Sequence, residues 1–345
     1  MDLSIIIPVY QVEKYIRPCI ESIFRQGLEE SRFEVIIIND GTKDNSIGVI
    51  QDIVSRHSNI TVVDQPNQGA SVARNKGISM AKGDYLMMTD PDDVLIDGCI
   101  KELLPLAQKS GADLIVADFL ELSDQQIEAF SGTFKPAFAT KEKTGEELFV
   151  EDLRATECYL WRVLYKRTLI TDHHITFVPG IYYQDRPFIH ECYLRAGKCI
   201  RVYQPMYIYR KGHDFAASYS LTEKKAKDYL ISISKTWEAQ EHISLSRKAM
   251  EKLNESTFRA FSSLISRVSQ EIKGRKKRNE FIDFVNKEAP TLTFHNGAKQ
   301  KITTFMVRHM PHTFIQAHYL SAKIIDNRLL PFYKHKIKPL ISRKK

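Results

Sequence analysis

The sequence predicts an α/β chain with a doubly wound parallel sheet. Two observations carry that expectation. Short, β-branched apolar runs alternate with helix-length amphipathic stretches over residues 4–118. Gly, Asn and Asp punctuate nearly every change from one to the other. Residues 4–10 (SIIIPVY) read as a buried strand. Residues 12–26 follow as a helix, with Ile16, Ile20, Ile23 and Phe24 on one face, Pro18 near the first turn and Gly27 at the stop. Residues 33–38 form a second strand that ends in Asn39-Asp40-Gly41-Thr42, and 45–56 a helix. Residues 60–64 form a third strand, 69–81 a helix, and 85–89 a fourth strand running into Asp90-Pro91-Asp92-Asp93. A helix over 97–109 and a fifth strand over 112–118 complete the pattern.

Beyond this point the periodicity weakens. Residues 121–145 read as an excursion, 199–209 as strand-like, and 222–287 as long helices. The expected division is a domain over 1–220 and a helical region over 221–345. The length, 345 residues, suits about two domains. With 43% hydrophobic and 27% charged residues the chain is not intrinsically disordered. Five cysteines without CxxC spacing argue against a disulfide framework or a zinc site, and for a reducing compartment. The first residues, MDLSIIIPVY, do not resemble a secretory signal, and no run of about 18 apolar residues is present to span a membrane.

The net charge of +8 is unevenly spread. The last fifty residues, from Asn296, hold eleven Lys/Arg against one acid, Asp326, while everything before them sums to −2. Phe305, Met306, Phe314, Ile315, Tyr319, Leu320, Ile324, Ile325, Leu329, Leu330, Phe332 and Tyr333 interleave with those cations. That mixture suits helices lying on an anionic membrane surface. The alternative is that the apolar residues pack on the rest of the chain. Nucleic acid is not an expected partner, since the body carries no matching basic face.

In an open parallel sheet ligands bind beyond the carboxyl ends of the strands. Asp40 ends the second strand there, and Asp90, Asp92 and Asp93 end the fourth. Asp90-Pro91-Asp92 is a D-x-D arrangement, able to share Mn²⁺ or Mg²⁺ with the two phosphates of a diphosphate. The alternative reading makes these acids turn residues, with Asp93 the better candidate to cap the next helix. No glycine-rich phosphate loop follows the first strand, which argues against a dehydrogenase or a P-loop enzyme.

Four ordered segments carry a resemblance: Ser4–Tyr10, Ile38–Asp44, Asn67–Gly77 and Lys82–Asp93. Together they resemble the family 2 glycosyltransferases, inverting enzymes with the GT-A fold, a mixed doubly wound sheet. The match is strongest over the first 120 residues, looser through 161–166, 183–196 and 207–210, and absent after about 221. The resemblance implies roles residue by residue. Pro8, Val9 and Tyr10 would line the base pocket, Asp40 would accept a hydrogen bond from the base, and Arg74 would sit by the nucleotide. Asp90 would lie near ribose and metal, and Asp92 would ligate the metal.

An inverting transfer needs a carboxylate to take the acceptor's proton. Similar enzymes use the Asp of a Glu-Asp pair opening a helix, and here Asp185 stands at that place in Gly180–Phe188. Gln184 replaces the usual Glu; its amide still hydrogen-bonds an acceptor hydroxyl. Arg210, Lys211 and His213 are candidates for the diphosphate, or else a solvated basic turn, and Trp161 falls on the acceptor side. The expectation is a metal-dependent transferase that moves a sugar from a nucleotide-diphosphate donor, with a lean to UDP, to a glycan or lipid-linked acceptor. Its setting would be surface polysaccharide synthesis on the cytoplasmic membrane face. A non-catalytic nucleotide-sugar binder is the alternative.

Overall fold

The structure is a computed structural model that describes residues 1–153, 158–212 and 220–324. It divides into two compact units, Met1–Phe215 with Ile243–Ala249, and Ala216–His242 with Met250–Lys345.

The first unit is built on one mixed sheet. Its strands are β1 (Leu3–Val9), β2 (Phe33–Asn39), β3 (Ile60–Asp64), β4 (Tyr85–Met88), β5 (Val94–Leu95), β6 (Leu114–Ser123), β7 (Thr140–Lys143), β8 (Val163–Lys166) and β9 (Cys199–Lys211). The order is β3-β2-β1-β4-β8-β6-β9-β5, with β7 on β9. β1 pairs in parallel with both β2 and β4, and β2 with β3. All seven residues of β1 are buried, as an apolar run covered on both faces requires. The wholly parallel expectation stops at β4. β8 runs antiparallel to β4 and to β6, so the sheet reverses there, as the GT-A expectation of a mixed sheet has it. Four residues, VLYK, hold no signal of direction in their own pattern. The segment 121–145 is more ordered than expected. It contains the end of β6, the short helix α5 (Asp124–Glu128) with a Ser123/Gln126 capping box, and β7.

Helices α1 (Ile16–Phe24), α2 (Gln51–Arg56), α3 (Ala70–Met80) and α4 (Cys99–Ser110) cover the parallel half. α3 packs closely because of Gly77, where a Cβ would meet Ile6 Cγ2 of β1 at 2.4 Å. Arg74, one turn earlier, is thereby held at the carboxyl end of the sheet. α6 (Gly145–Glu151), α7 (Arg167–Asp172) and α8 (Asp185–Arg195) follow. α8 is buried nearly all round, which is the state expected of a helix with no polar stripe.

The second unit is helical: α9 (Glu223–Glu238), α10 (Arg247–Glu271, whose first turn belongs to the first unit), α11 (Arg275–Glu288), α12 (Ala298–His309) and α13 (Pro311–Ile324). Thr222 caps α9 by accepting from Lys225 N. Phe294 is its aromatic centre, with ring centroids 5.1 Å from Phe258 and 5.4 Å from Phe261.

Candidate active site

The carboxyl ends of β1, β2 and β4 lie side by side. At β1, Tyr10 is 40% exposed, while Pro8 and Val9 are buried. Val9 packs in the core and its carbonyl accepts from Asp40 N at 2.9 Å, so its side chain supports the strand end and does not face a ligand. Asp40 is 2% exposed. Its Oδ1 accepts from Gln65 Nε2 and Gln68 N, and its Oδ2 from Gly69 N, each at 2.8 Å. Those bonds fix the loop entering α3. A base N–H would have to use the lone pair that remains on Oδ2.

The acid turn after β4 is divided in its duties. Asp93 does not cap a helix; Gly98, at φ +78°, precedes α4 instead. Asp93 is fully buried. Its Oδ2 accepts from Tyr207 Oη at 3.0 Å and its Oδ1 from Arg210 N at 2.8 Å. Tyr207 Oη in turn accepts from Asp90 N at 3.1 Å. Burial, then repulsion from Asp92 and Asp90, pushes Asp93 well above the usual carboxylate range. Burial also raises Asp90, with Arg74 opposing and Asp92 adding to the rise. Asp92 is half-buried.

Arg210 is 6% exposed and braces the turn from behind. Its Nε donates to Asp92 O at 2.6 Å, it pairs with Asp124, and its guanidinium lies 4.8 Å over the Tyr15 ring. Arg210 thus commits Nε and Nη1 to the protein, which makes it a brace of the acid turn more than a group free to meet a diphosphate. Lys211 pairs with Glu121 at 3.2 Å beside the Tyr209 ring, away from the acid turn's bonds. His213 lies outside the described residues.

Arg74 joins the distant parts. Its Nη2 donates to Asp90 Oδ1 at 2.7 Å and its Nη1 to Asp185 Oδ1 at 3.4 Å. The side chain is 6% exposed, and its buried Nε has no partner among the described residues. Asp185 opens α8, and its carboxyl keeps 39% of its surface at the mouth of the site. The dense surroundings raise it to about 6; Arg74 pulls the other way and Asp90 adds to the rise. That value is well placed for a group that must accept a proton near neutrality. Just before it, Tyr183 holds a left-handed backbone at φ +62°. Gln184 makes no capping bond to the helix. Trp161 is 3% exposed and stacks on Tyr207 at 4.3 Å, which makes it the floor under the acid turn and not an open sugar platform.

Among the described residues no three His, Cys, Asp or Glu side chains form a cluster able to hold a metal ion. The donor set here is two carboxylates, Asp90 and Asp92, whose repulsion a cation would relieve. Two protein carboxylates, with diphosphate and water oxygens for the rest, suit Mg²⁺ or Mn²⁺.

The fold and the acid turn at its parallel strand ends define a GT-A-type protein. The chain also superposes on Staphylococcus aureus TarS 1-349, crystallised with UDP, at a TM-score of 0.70 and 18% identity, covering 94% of this chain and 91% of that one. Residues 4–167, just under half of the chain, match the family described as Glycosyl transferase family 2, and through that segment the chain is similar to the family 2 glycosyltransferases. The uncharacterized glycosyltransferase EpsJ of Bacillus subtilis (strain 168) is 31% identical over 227 residues, 64% of this chain and 63% of that protein. The minor teichoic acid biosynthesis protein GgaB of the same organism is 35% identical over 104 residues, 30% of this chain and 12% of GgaB. The chain thus spans less than two thirds of the length of these relatives.

Proposed function

We propose that the protein is an inverting glycosyltransferase that moves one sugar from a UDP-sugar to a glycan or lipid-linked acceptor in surface polysaccharide synthesis. The observation that carries this reading is the Asp90–Arg74–Asp185 bridge. It brings a diphosphate-side acid and a proton acceptor to opposite sides of one cation at the sheet's ligand-binding edge. UDP in TarS and the teichoic acid role in GgaB's name support the donor and the setting.

In this reading Tyr10 and Asp40 hold the base, and Arg74 sits by the nucleotide. Asp90 and Asp92 would hold a divalent cation, which would supply positive charge against the departing diphosphate. The acceptor hydroxyl attacks the anomeric carbon opposite the diphosphate, and Asp185 Oδ takes its proton. The bond from the anomeric carbon to the diphosphate oxygen breaks, and its electron pair leaves with UDP. Gln184 orients the acceptor hydroxyl. Arg210 acts by bracing the acid turn through Asp92 O and Asp93. A perturbed carboxyl beside Arg74 and Asp90 supports the enzyme over a non-catalytic binder. Incubating the chain with a panel of nucleotide sugars and Mn²⁺, followed by proton NMR, tests the reading.

We also propose peripheral contact with the cytoplasmic face of an anionic membrane. No helix among the described residues is long and apolar enough to cross one. The apolar residues of the basic tail differ in exposure, with Met306 and Tyr319 half-buried. Val307, Phe314 and Ile315 are buried, whereas Ile302, Phe305, Met310 and Leu320 are 44–61% exposed. Ile324, Ile325, Leu329, Leu330, Phe332 and Tyr333 lie outside the described side chains. Because α12 and α13 bury core residues, substitution tests this better than truncation. Ile302→Ser/Phe305→Ser/Leu320→Ser should keep the wild-type melting temperature and lose sedimentation with phosphatidylglycerol vesicles. Wild-type binding should weaken at about 0.5 M salt as screening shortens the reach of the charges. A wild-type chain that ignores such vesicles at low salt would remove this contact from the account.

A further inference from the structure

We propose that Asn75 is a positioning residue that sets the spacing between Arg74 and Asp185; the inference rests on the reading of Asp185 as the base. Asn75 follows Arg74 on α3. Its Nδ2 donates to Phe177 O at 2.8 Å, and its Oδ1 accepts from Phe177 N at 2.9 Å. One side-chain amide thus satisfies both main-chain groups of a residue 102 positions away. A side-chain amide carries both the donor and the acceptor for that pairing, and without it the N–H and C=O of the buried Phe177 lose this partner.

The pinned residue is what α8 rests on. The Phe177 ring is fully buried and stacks on Phe188 with centroids 3.9 Å apart and planes 5° apart. Phe188 lies on the first turn of α8, three residues after Asp185, and meets Tyr165 of β8 edge-on at 5.9 Å. The Arg74 guanidinium lies 5.5 Å from the other contact of the bracket, the Phe177 ring. A continuous chain of contacts therefore runs from α3 through Asn75, Phe177 and Phe188 to the helix that presents Asp185. Arg74 and Asp185 themselves touch at only 3.4 Å, a distance that a loosened bracket would lengthen. Misplacement of a reacting group by about 1 Å can cost up to a hundredfold in rate.

The test is a double-mutant cycle on the full chain, read as UDP release from whichever nucleotide sugar turns over in the NMR panel. Asn75→Ala should lower kcat at least about tenfold with little change in donor KM, and Asn75→Asp, which keeps the acceptor and loses the donor, should fall between. In an Asp185→Asn background Asn75→Ala should cost nothing further, because residues that act as a unit are not additive. If Asn75→Ala melts below the assay temperature, Phe177→Leu serves in its place, since it keeps the main-chain bonds and removes the stack. Equal factors in both backgrounds would overturn the inference and leave the base assignment standing. Wild-type turnover by Asp185→Asn alone would overturn both.

Discussion

Asp185→Asn lowers turnover by about a hundredfold or more while UDP binding survives. The substitution is nearly isosteric and removes only the ability to take a proton, and general-base effects run at that scale. The pH profile adds a second signature. With its carboxyl raised to about 6, the wild-type protein loses active base as pH falls through that value, about tenfold in rate per unit below it. The variant should have a flat profile in the same window. Unfolding is not a rival explanation. A carboxyl raised in the folded state stabilises the protein when protonated, and that contribution is lost as pH rises through about 6. Near neutrality the amide therefore costs the fold no ionised group that it favours. Calorimetry with UDP and a transfer assay on one preparation decide the matter. Near-normal turnover would move the base elsewhere, to the acids of the turn.

Asp92→Ala abolishes Mn²⁺-dependent UDP binding without unfolding the protein. Asp92 is half-buried, and its main-chain bond from Arg210 Nε to Asp92 O survives the substitution. The buried acid of the turn, Asp93, keeps Tyr207 and Arg210 N as partners. Loss of one carboxylate also relieves the repulsion that raises Asp90 and Asp93. Affinity for UDP in Mn²⁺ should fall at least about tenfold, or about 1.4 kcal/mol, and binding in EDTA should be equal for both proteins. An Asp92→Ala protein with unchanged, EDTA-sensitive activity would take the metal away from this turn.

The parallel half of the sheet was legible because its strands are continuous apolar runs: all seven residues of β1 are buried, and the acids stand directly after β2 and β4. Asp40, Arg74, Asp90 and Asp185 stood out through ordered motifs. What joins them did not. The Arg74–Asp185 contact spans 111 positions and depends on Gly77 letting α3 lie against β1. Asp93 shows the limit from the other side. An acid on a turn before a helix reads as a cap, and only the arrival of Tyr207 from β9, 114 positions later, makes it a buried anchor. The same distance hid Arg210, whose sequence neighbours suggest an open basic turn and whose partners, Asp92 O and Asp124, come from elsewhere. Asn75 lies inside a motif that was noticed, but its partner Phe177 lies in an unremarkable loop.

The most direct test of the account follows the anomeric configuration of the product by proton NMR. The full chain is mixed with Mn²⁺ and α-linked UDP-sugars, with acceptor or with water alone. The account predicts UDP release with the β-anomer appearing first, and both slowed about a hundredfold or more in the Asp185→Asn protein. An α-configured first product, or no nucleotide release from any donor in the panel, would contradict it.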